Sequence, residues 1–265
     1  MPNVDPSRPD AVQDFSVKVH PGEIVGLAGL QGSGSTELFQ GLFGARGRVC
    51  RGHVRIDGKP FCPSSPHESI RRWIAYLTAY CKGSGLVAGM SVVHNMSLAS
   101  LPRFSPGGML RRAWERATAG RQAEALHIRL TSLDQSVGTL SGGNQQKVVL
   151  AKWLETQPRV LLLEEPTRGV DVGAKEEIYA LMRQWTAAGM ALLLVSTEMP
   201  ELLGLSDRIV VMHRGEITGT FGRGDATPET ILAAAMGSAG RRGESPPRTE
   251  AEMTSCAPRW CEVPA

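Results

Sequence analysis

The chain has 265 residues, of which 42% are hydrophobic and 21% charged, and its formal net charge is +3. This composition is ordinary for a packed soluble fold of one large or two small domains, and the weak charge argues against a nucleic-acid-binding protein. No apolar run approaches the roughly 18 residues of a spanning helix, and the N-terminus lacks the apolar core of a signal peptide. We therefore expect neither a transmembrane segment nor a signal peptide.

The cysteines and histidines give no sign of a stabilising cross-link or metal cage. The five cysteines are odd in number and lack C-x-x-C spacing, which predicts free thiols. The six histidines lack H-E-x-x-H spacing, so we expect no metal site formed by protein ligands alone.

The first part of the chain alternates strand and helix signals. In chain order, it predicts a strand over residues 12–19, a turn at 21–22, a buried strand over 24–27, a glycine-rich loop over 29–34, a helix over 36–43 and a short strand with a turn over 54–58. Residues 60–140 then predict a strand over 73–77 and two helices, over 92–101 and 113–130, separated by the Pro/Gly stretch 102–108. We interpret this middle region as a helical insertion.

From residue 140 the pattern alternates regularly. It predicts a helix over 144–155, a strand over 160–163, a helix over 174–187, strands over 191–195, 209–212 and 216–221, and a last helix over 229–236. Alternating strands and helices predict an α/β fold with a mainly parallel sheet and helices on both faces. The Arg/Pro/Glu/Ser-rich residues 238–265 predict a disordered tail.

The first motif is a glycine-rich loop between a predicted strand and helix. It comprises Gly29, Leu30, Gln31, Gly32, Ser33, Gly34, Ser35 and Thr36. Glycines let backbone N–H groups converge on phosphate oxygens, and the helix N-terminus adds positive potential. Ser35 occupies the lysine position of the G-x-x-x-x-G-K-[ST] pattern. Taken alone, the loop is equally compatible with a plain strand–turn–helix.

The second motif opens a predicted helix. Its members are Leu140, Ser141, Gly142, Gly143, Asn144 and Gln145, followed by Gln146 and Lys147. Two glycines between polar residues make a surface that can face phosphate, although Ser141 could also serve only as an N-cap.

The third motif is a buried strand that ends in two adjacent carboxylates, Glu164 and Glu165. Adjacent strand residues point to opposite faces, so the two carboxylates require different roles. One can bind Mg²⁺, and the other can orient or deprotonate water. A solvated pair at a strand end is the simpler alternative for this motif by itself.

In this order, the three motifs resemble Walker A, the signature and Walker B of an ATP-binding cassette (ABC) ATPase, which has a P-loop NTPase core with an antiparallel β portion and a helical insertion. Residues 165–175 and 195–201 are similar to the second, C-terminal cassette of bacterial carbohydrate-import ATPases. The resemblance implies one nucleotide-binding domain over residues 1–237, with a helical subdomain at about 83–140. It also implies Asp171 in the D-loop and Glu198 at the switch-histidine position.

Several departures from the family pattern fall in motifs that act on the chain's own nucleotide. Ser35 replaces the Walker A cation, Glu164 is one methylene longer than the usual aspartate, and residues 78–82 lack the usual carboxylates and arginine. Glu165 stands at the catalytic carboxylate position, and the signature is unchanged. The resemblance therefore implies that this chain's signature completes the ATP site of a partner cassette, while its own site is degenerate.

The resemblance implies ATP and Mg²⁺ as cofactors, with Thr36 and Glu164 as the Mg²⁺ ligands. It also implies a second cassette (more often a different chain than a second copy), a transmembrane permease and, indirectly, a periplasmic sugar-binding protein, at the cytoplasmic face of the inner membrane. Two alternatives stay open, namely an ATPase subunit active in its own right, and a decayed or truncated paralogue without transport activity.

Overall fold

The computed structural model describes residue 12 and residues 15–47, 53–80, 83 and 85–237. The predicted tail over residues 238–265 lies outside this part, as do Cys50, Cys81, Cys256 and Cys261. The remaining cysteine, Cys62, is an exposed free thiol, as predicted. No helix in the described part is long and apolar enough to cross a membrane.

A six-stranded sheet forms the centre of the molecule, and a two-stranded hairpin accompanies it. The strands are β1 (Ile24–Gly29), β2 (Val54–Ile56), β3 (Lys59–Phe61), β4 (Ile74–Leu77), β5 (Val160–Glu164), β6 (Ala191–Val195), β7 (Arg208–His213) and β8 (Glu216–Gly222). The order in the large sheet is β4-β5-β6-β1-β7-β8, and only the β7–β8 pair is antiparallel. β2 and β3 pair antiparallel in a separate sheet. The predicted α/β class with a mainly parallel sheet and an antiparallel portion is thus confirmed.

The helices of the described part pack against this sheet or follow one another between β4 and β5. They are α1 (Ser35–Leu42), α2 (Pro66–Arg71), α3 (Val92–Ser97), α4 (Leu101–Phe104), α5 (Arg112–Ala125), α6 (Gly142–Leu154), α7 (Val172–Ala187), α8 (Met199–Leu205) and α9 (Pro228–Ala235). α3, α4 and α5 lie within the predicted helical insertion.

The central strands are apolar throughout because both faces of the sheet are covered. Leu161 and Leu163 of β5 join one core cluster, whereas Leu162 joins the cluster on the opposite face with Phe39 and Tyr76. Strand residues alternate between the two faces, so a continuous Val/Leu run fills both cores. This packing fixes the carboxyl ends of β1 and β5, where the glycine-rich loop and the two adjacent carboxylates lie.

The strand predicted over residues 12–19 does not form in its described part, residue 12 and residues 15–19. Phe15, Val17 and Val19 are nevertheless partly buried against the core, and the residues between them are exposed. Period-two burial therefore holds, but a strand also needs a hydrogen-bonded neighbour, which this segment lacks within the described residues.

Two predicted helices of the insertion have wrong bounds. The helix predicted over 92–101 ends at Ser97, and Pro102 lies in the first turn of α4 rather than in a break, because proline is tolerated at a helix start. The helix predicted over 113–130 ends at Ala125, since His127 has a φ of 50°. The short elements β3, α2 and α8 were not predicted, because each is too brief for a periodic pattern.

Candidate functional site

The glycine-rich loop joins β1 to α1. One backbone hydrogen bond closes a turn within it, and another ties it to the turn between β7 and β8. The Ser33 N–H donates to the Leu30 carbonyl at 2.9 Å, and the Gly215 N–H donates to the Ser33 carbonyl at 2.8 Å. Gly32 and Gly34 have φ values of 83° and 102°, a region that side chains disfavour. The first N–H groups of α1 have no acceptor within the helix, so they are available to an anion.

Ser35 and its neighbour Ser33 offer hydroxyls but no charge in this loop. The two Oγ atoms lie 3.4 Å apart, and Ser33 is buried. Only glycine fits at position 29, because a Cβ there would approach Ser33 Cβ to 2.6 Å and the Met212 carbonyl oxygen to 2.7 Å. The loop therefore combines positive-φ glycines and a helix start with hydroxyl side chains at positions 33 and 35.

Glu164 ends β5 and is almost fully buried. Its carboxylate accepts a hydrogen bond from Thr36 Oγ1 at 2.6 Å and another from the Tyr76 hydroxyl at 2.5 Å. The Ala79 N–H is a third, longer donor at 3.4 Å. The structure thus brings together Thr36 and Glu164, the two predicted Mg²⁺ ligands, from positions that are far apart in the chain.

Glu165 follows the last residue of β5, and its hydrogen-bond partners differ from those of Glu164. It has a φ of 49°, and its carboxylate accepts from the Thr197 N–H at 2.8 Å and from Thr197 Oγ1 at 3.2 Å. Burial raises the pKa of Glu165, although the bonds from Thr197 and the charge of Arg168 oppose this rise. A carboxylate with a raised pKa is a better proton acceptor near neutral pH than an ordinary one.

The Glu198 side chain forms an ion pair with Lys175 of α7 rather than a hydrogen bond with Glu165. Lys175 Nζ donates to the two carboxylate oxygens of Glu198 at 2.5 and 2.6 Å. The side chain that donates a hydrogen bond to Glu165 is Thr197, which is not among the predicted site residues. Thr197 follows the end of β6, the strand that lies beside β5, and Glu164 pairs with Val195 in the sheet register. A polar residue just after a buried strand was therefore the sequence signal that could have pointed to Thr197.

A buried carboxyl group lies behind this segment. Glu201 of α8 is 2% exposed and accepts from Thr167 Oγ1 at 3.0 Å. Burial raises its pKa, and the hydroxyls of Ser196 and Thr167 oppose the rise. Glu201 therefore connects the loop after Glu165 to the segment that carries Thr197.

The signature residues form a separate hydrogen-bonded group at the start of α6. Ser141 is the exposed N-cap residue, and its Oγ accepts from the Asn144 side chain at 2.8 Å rather than from a backbone N–H. Asn144 Oδ1 accepts from the Arg129 N–H at 2.8 Å, and the Gln145 side chain donates to the Leu140 carbonyl at 3.0 Å. Within the described part of the chain, Ser141 Oγ accepts one hydrogen bond and donates none, so its proton can point outward.

The D-loop aspartate lies next to the signature. Asp171 caps α7 by accepting from the Ala174 N–H at 3.0 Å. A Cβ on Gly143 would lie 3.0 Å from Ala174 Cβ, so the two helix starts are in close contact. Between them is an open depression of about 260 Å³, whose lining includes Ser141, Asn144 and Asp171.

The donor set at Thr36 and Glu164 fits Mg²⁺. Hard oxygen ligands suit this ion, which usually takes one or two protein ligands and completes its shell with phosphate oxygens and water. The described residues contain no cluster of three His, Cys, Asp or Glu side chains that could hold a metal without such help.

A sequence model described as "ABC transporter" matches residues 12–168, which is more than half of the chain. The chain belongs to the ABC transporter family. The glycine-rich loop, the signature and Glu164 all lie within the region matched in this ABC transporter protein.

Solved structures of ABC cassettes have the same fold as this ABC transporter protein. MJ1267, an ATP-binding cassette of an ABC transporter, is 21% identical with a TM-score of 0.70, over 84% of this chain and 92% of that one. The cassette MJ0796 bound to ADP and Pi is 21% identical with a TM-score of 0.68, over 80% and 90%. CbiO1 from Clostridium perfringens, part of the cbiONQ complex, is 22% identical with a TM-score of 0.69, over 84% and 86%.

Proposed function

We propose that this ABC transporter protein is an ATP-binding cassette of a bacterial carbohydrate importer, and that its signature completes the ATP site of a partner cassette. The observation that carries the proposal is a contrast between the start of α1 and the start of α6. The chain's own loop has Ser35 where a cation belongs, whereas Ser141 is exposed at the start of a 13-residue helix with its hydroxyl proton available. Such a helix start favours an anion brought by another molecule.

The chain's own site retains part of the machinery for hydrolysis. Thr36 and Glu164 would hold Mg²⁺ beside the loop, and Glu165 would orient water and accept its proton. Bound Mg²⁺ supplies charge neutralisation on the phosphates. Ser35 can donate only a neutral hydrogen bond, and the loss of one preorganised donor to a transferring phosphate costs about 10²–10³ in rate by analogy with oxyanion holes. We infer that this site is degenerate.

Ser141→Ala in the assembled transporter tests the proposal. If the Ser141 hydroxyl contacts the partner's nucleotide, we expect ATP turnover by the complex to fall by about 10²-fold. Ser35→Ala is the matched control, because it also removes one hydroxyl but from the site that we propose is idle. Unchanged turnover in Ser141→Ala contradicts the proposal.

A second candidate function is an ATPase that is active by itself. The 2.6 Å contact between Thr36 and Glu164 and the raised pKa of Glu165 favour it. Phosphate release by the isolated chain with Mg-ATP, compared with its Glu165→Gln variant, distinguishes the two. Turnover that disappears in the variant supports this candidate, and equal background in both chains contradicts it.

The remaining assignments follow from the same proposal. We propose one cassette domain over residues 1–237 with a helical subdomain at about 83–140. Its partners would be a second cassette, a permease and, indirectly, a periplasmic sugar-binding protein, at the cytoplasmic face of the inner membrane. Asp171 would lie at the contact between cassettes, and Glu198 would act at the switch position.

A further inference from the structure

An ion pair fixes the switch segment, which we define as residues 196–198. Lys175 of α7 donates to both carboxylate oxygens of Glu198, so the contact is bidentate. The Lys175 side chain is 20% exposed and that of Glu198 is 44% exposed, which places the pair at the edge of the packed region. Glu198 is also the N-cap residue of α8, and its N–H donates to Ser196 Oγ at 3.0 Å.

The switch segment lies among several carboxyl groups. The charge of Glu198 raises the pKa values of both Glu165 and Glu201, which means that the three groups repel one another when ionised. Two cations oppose this repulsion: Arg168 lowers the pKa of Glu165, and Lys175 is bonded directly to Glu198. Without Lys175, Glu198 would be an unpaired charge next to the residue that holds Glu165.

We propose that Lys175 is a positioning residue for Glu165 that acts through Glu198. By holding the Glu198 carboxylate against α7, Lys175 keeps the N–H and hydroxyl of Thr197 directed at Glu165. The role of Glu165 in hydrolysis rests on the second candidate function above, in which the chain's own site is active, but the positioning of Thr197 is a property of the chain without nucleotide. The two ideas can therefore fail separately.

The ion pair also reduces the electrostatic repulsion between Glu198 and a nucleotide bound in this site. An unpaired carboxylate would repel a γ-phosphate, whereas a carboxylate bonded to a lysine ammonium carries little net charge at a distance. Lys175 thus makes glutamate tolerable in the switch segment. It does so from α7, the helix that begins at Asp171.

Amide hydrogen exchange of the full chain, followed by NMR without nucleotide, tests the proposal. In Lys175→Met, which keeps the aliphatic stem, we expect the Thr197 N–H to exchange roughly threefold to fivefold faster, as loss of a partly exposed ion pair allows. Lys175→Arg restores the charge and should restore protection. In a Glu198→Gln background, Lys175→Met should add nothing, because the partner charge is already gone.

Two comparisons separate positioning from general damage. Arg116→Met breaks the 2.5 Å ion pair between Arg116 of α5 and Asp134, and it should leave Thr197 exchange unchanged. The Leu193 amide in the buried strand β6 reports on global opening and should also keep its exchange rate. Unchanged Thr197 exchange in Lys175→Met overturns the proposal, as does an equal acceleration at Leu193. Failure of Ser141→Ala to affect the transporter would bear only on the proposed function.

Discussion

Replacing Tyr76 by phenylalanine tests how Glu164 is held at the end of β5. Tyr76 and Glu164 are 3% and 6% exposed, and the hydroxyl lies 2.5 Å from Oε2 of the carboxylate. Phenylalanine keeps the ring, which packs edge-on against Phe39 and Phe43 at centroid distances of 5.9 and 5.6 Å. The substitution therefore removes a hydrogen bond to a buried carboxylate with little change in packing.

The expected cost follows from the partners that remain. A hydrogen bond to a charged group contributes about 1.5–3 kcal/mol, and the only other donor described for this oxygen, the Ala79 N–H at 3.4 Å, is too long to replace it. A domain of this size loses about 2–4 °C of melting temperature per kcal/mol, so Tyr76→Phe should melt about 3–12 °C lower. At neutral pH, with tryptophan fluorescence as the signal, urea unfolding measures the change in the free energy of unfolding and thermal unfolding measures the change in melting temperature.

Tyr80→Phe is the matched control. Because the Tyr80 side chain is 61% exposed, this substitution should change the free energy of unfolding by no more than about 0.5 kcal/mol. In a Glu164→Gln background the acceptor is neutral, so the effect of Tyr76→Phe should shrink to about 0.5–1.5 kcal/mol. If Tyr76→Phe is as stable as Tyr80→Phe, the hydroxyl does not hold Glu164 and the reasoning is refuted.

Two further substitutions address the surroundings of the site. Burial raises the pKa of Glu201, so the folded chain holds this proton more tightly than the unfolded chain, and stability falls as pH rises above the ordinary value of 4.5. We therefore expect Glu201→Gln to match the unmodified chain at low pH and to become the more stable of the two towards neutral pH; parallel melting curves across pH would contradict this. A Cβ on Gly26 would approach Ser206 Oγ to 2.3 Å, so Gly26→Ala should destabilise by about 1–3 kcal/mol in urea unfolding. Ser206→Ala should recover part of that loss, and simple additivity of the two changes would exclude the clash as the cause.

The long periodic parts of the fold were predictable from sequence. The helix predicted over 174–187 begins two residues earlier, at Val172, and the strands predicted over 191–195 and 209–212 lie within or match the observed β6 and β7. Buried strands of a parallel sheet leave a strong apolar signal because both of their faces are covered. The segment at 12–19 carried an equally clear alternation, but pairing depends on a neighbour that the local pattern does not specify.

The loop, the two carboxylates and the signature were also recognisable, because each combines unusual residues at a fixed spacing. The contacts of these motifs with other parts of the chain could not be predicted from the sequence. Tyr76 meets Glu164 because β4 pairs with β5 in a register that aligns Leu77 with Leu163. Lys175 meets Glu198 because α7 returns along the sheet, and no local pattern in either segment points to the other. Predicting such pairs requires the strand order as well as the elements.

The strand order also has a consequence for how the chain folds as it is made. β1, which leads directly into the glycine-rich loop, is flanked by β6 and β7, and its partner residues begin at Leu192 and Arg208. At about 5–20 residues per second, a ribosome needs on the order of 10–30 s to synthesise the chain between β1 and these strands. During that interval an apolar strand is without either neighbour, which favours aggregation or chaperone binding. The loop at the end of β1 can therefore take its final shape only after most of the chain has been synthesised.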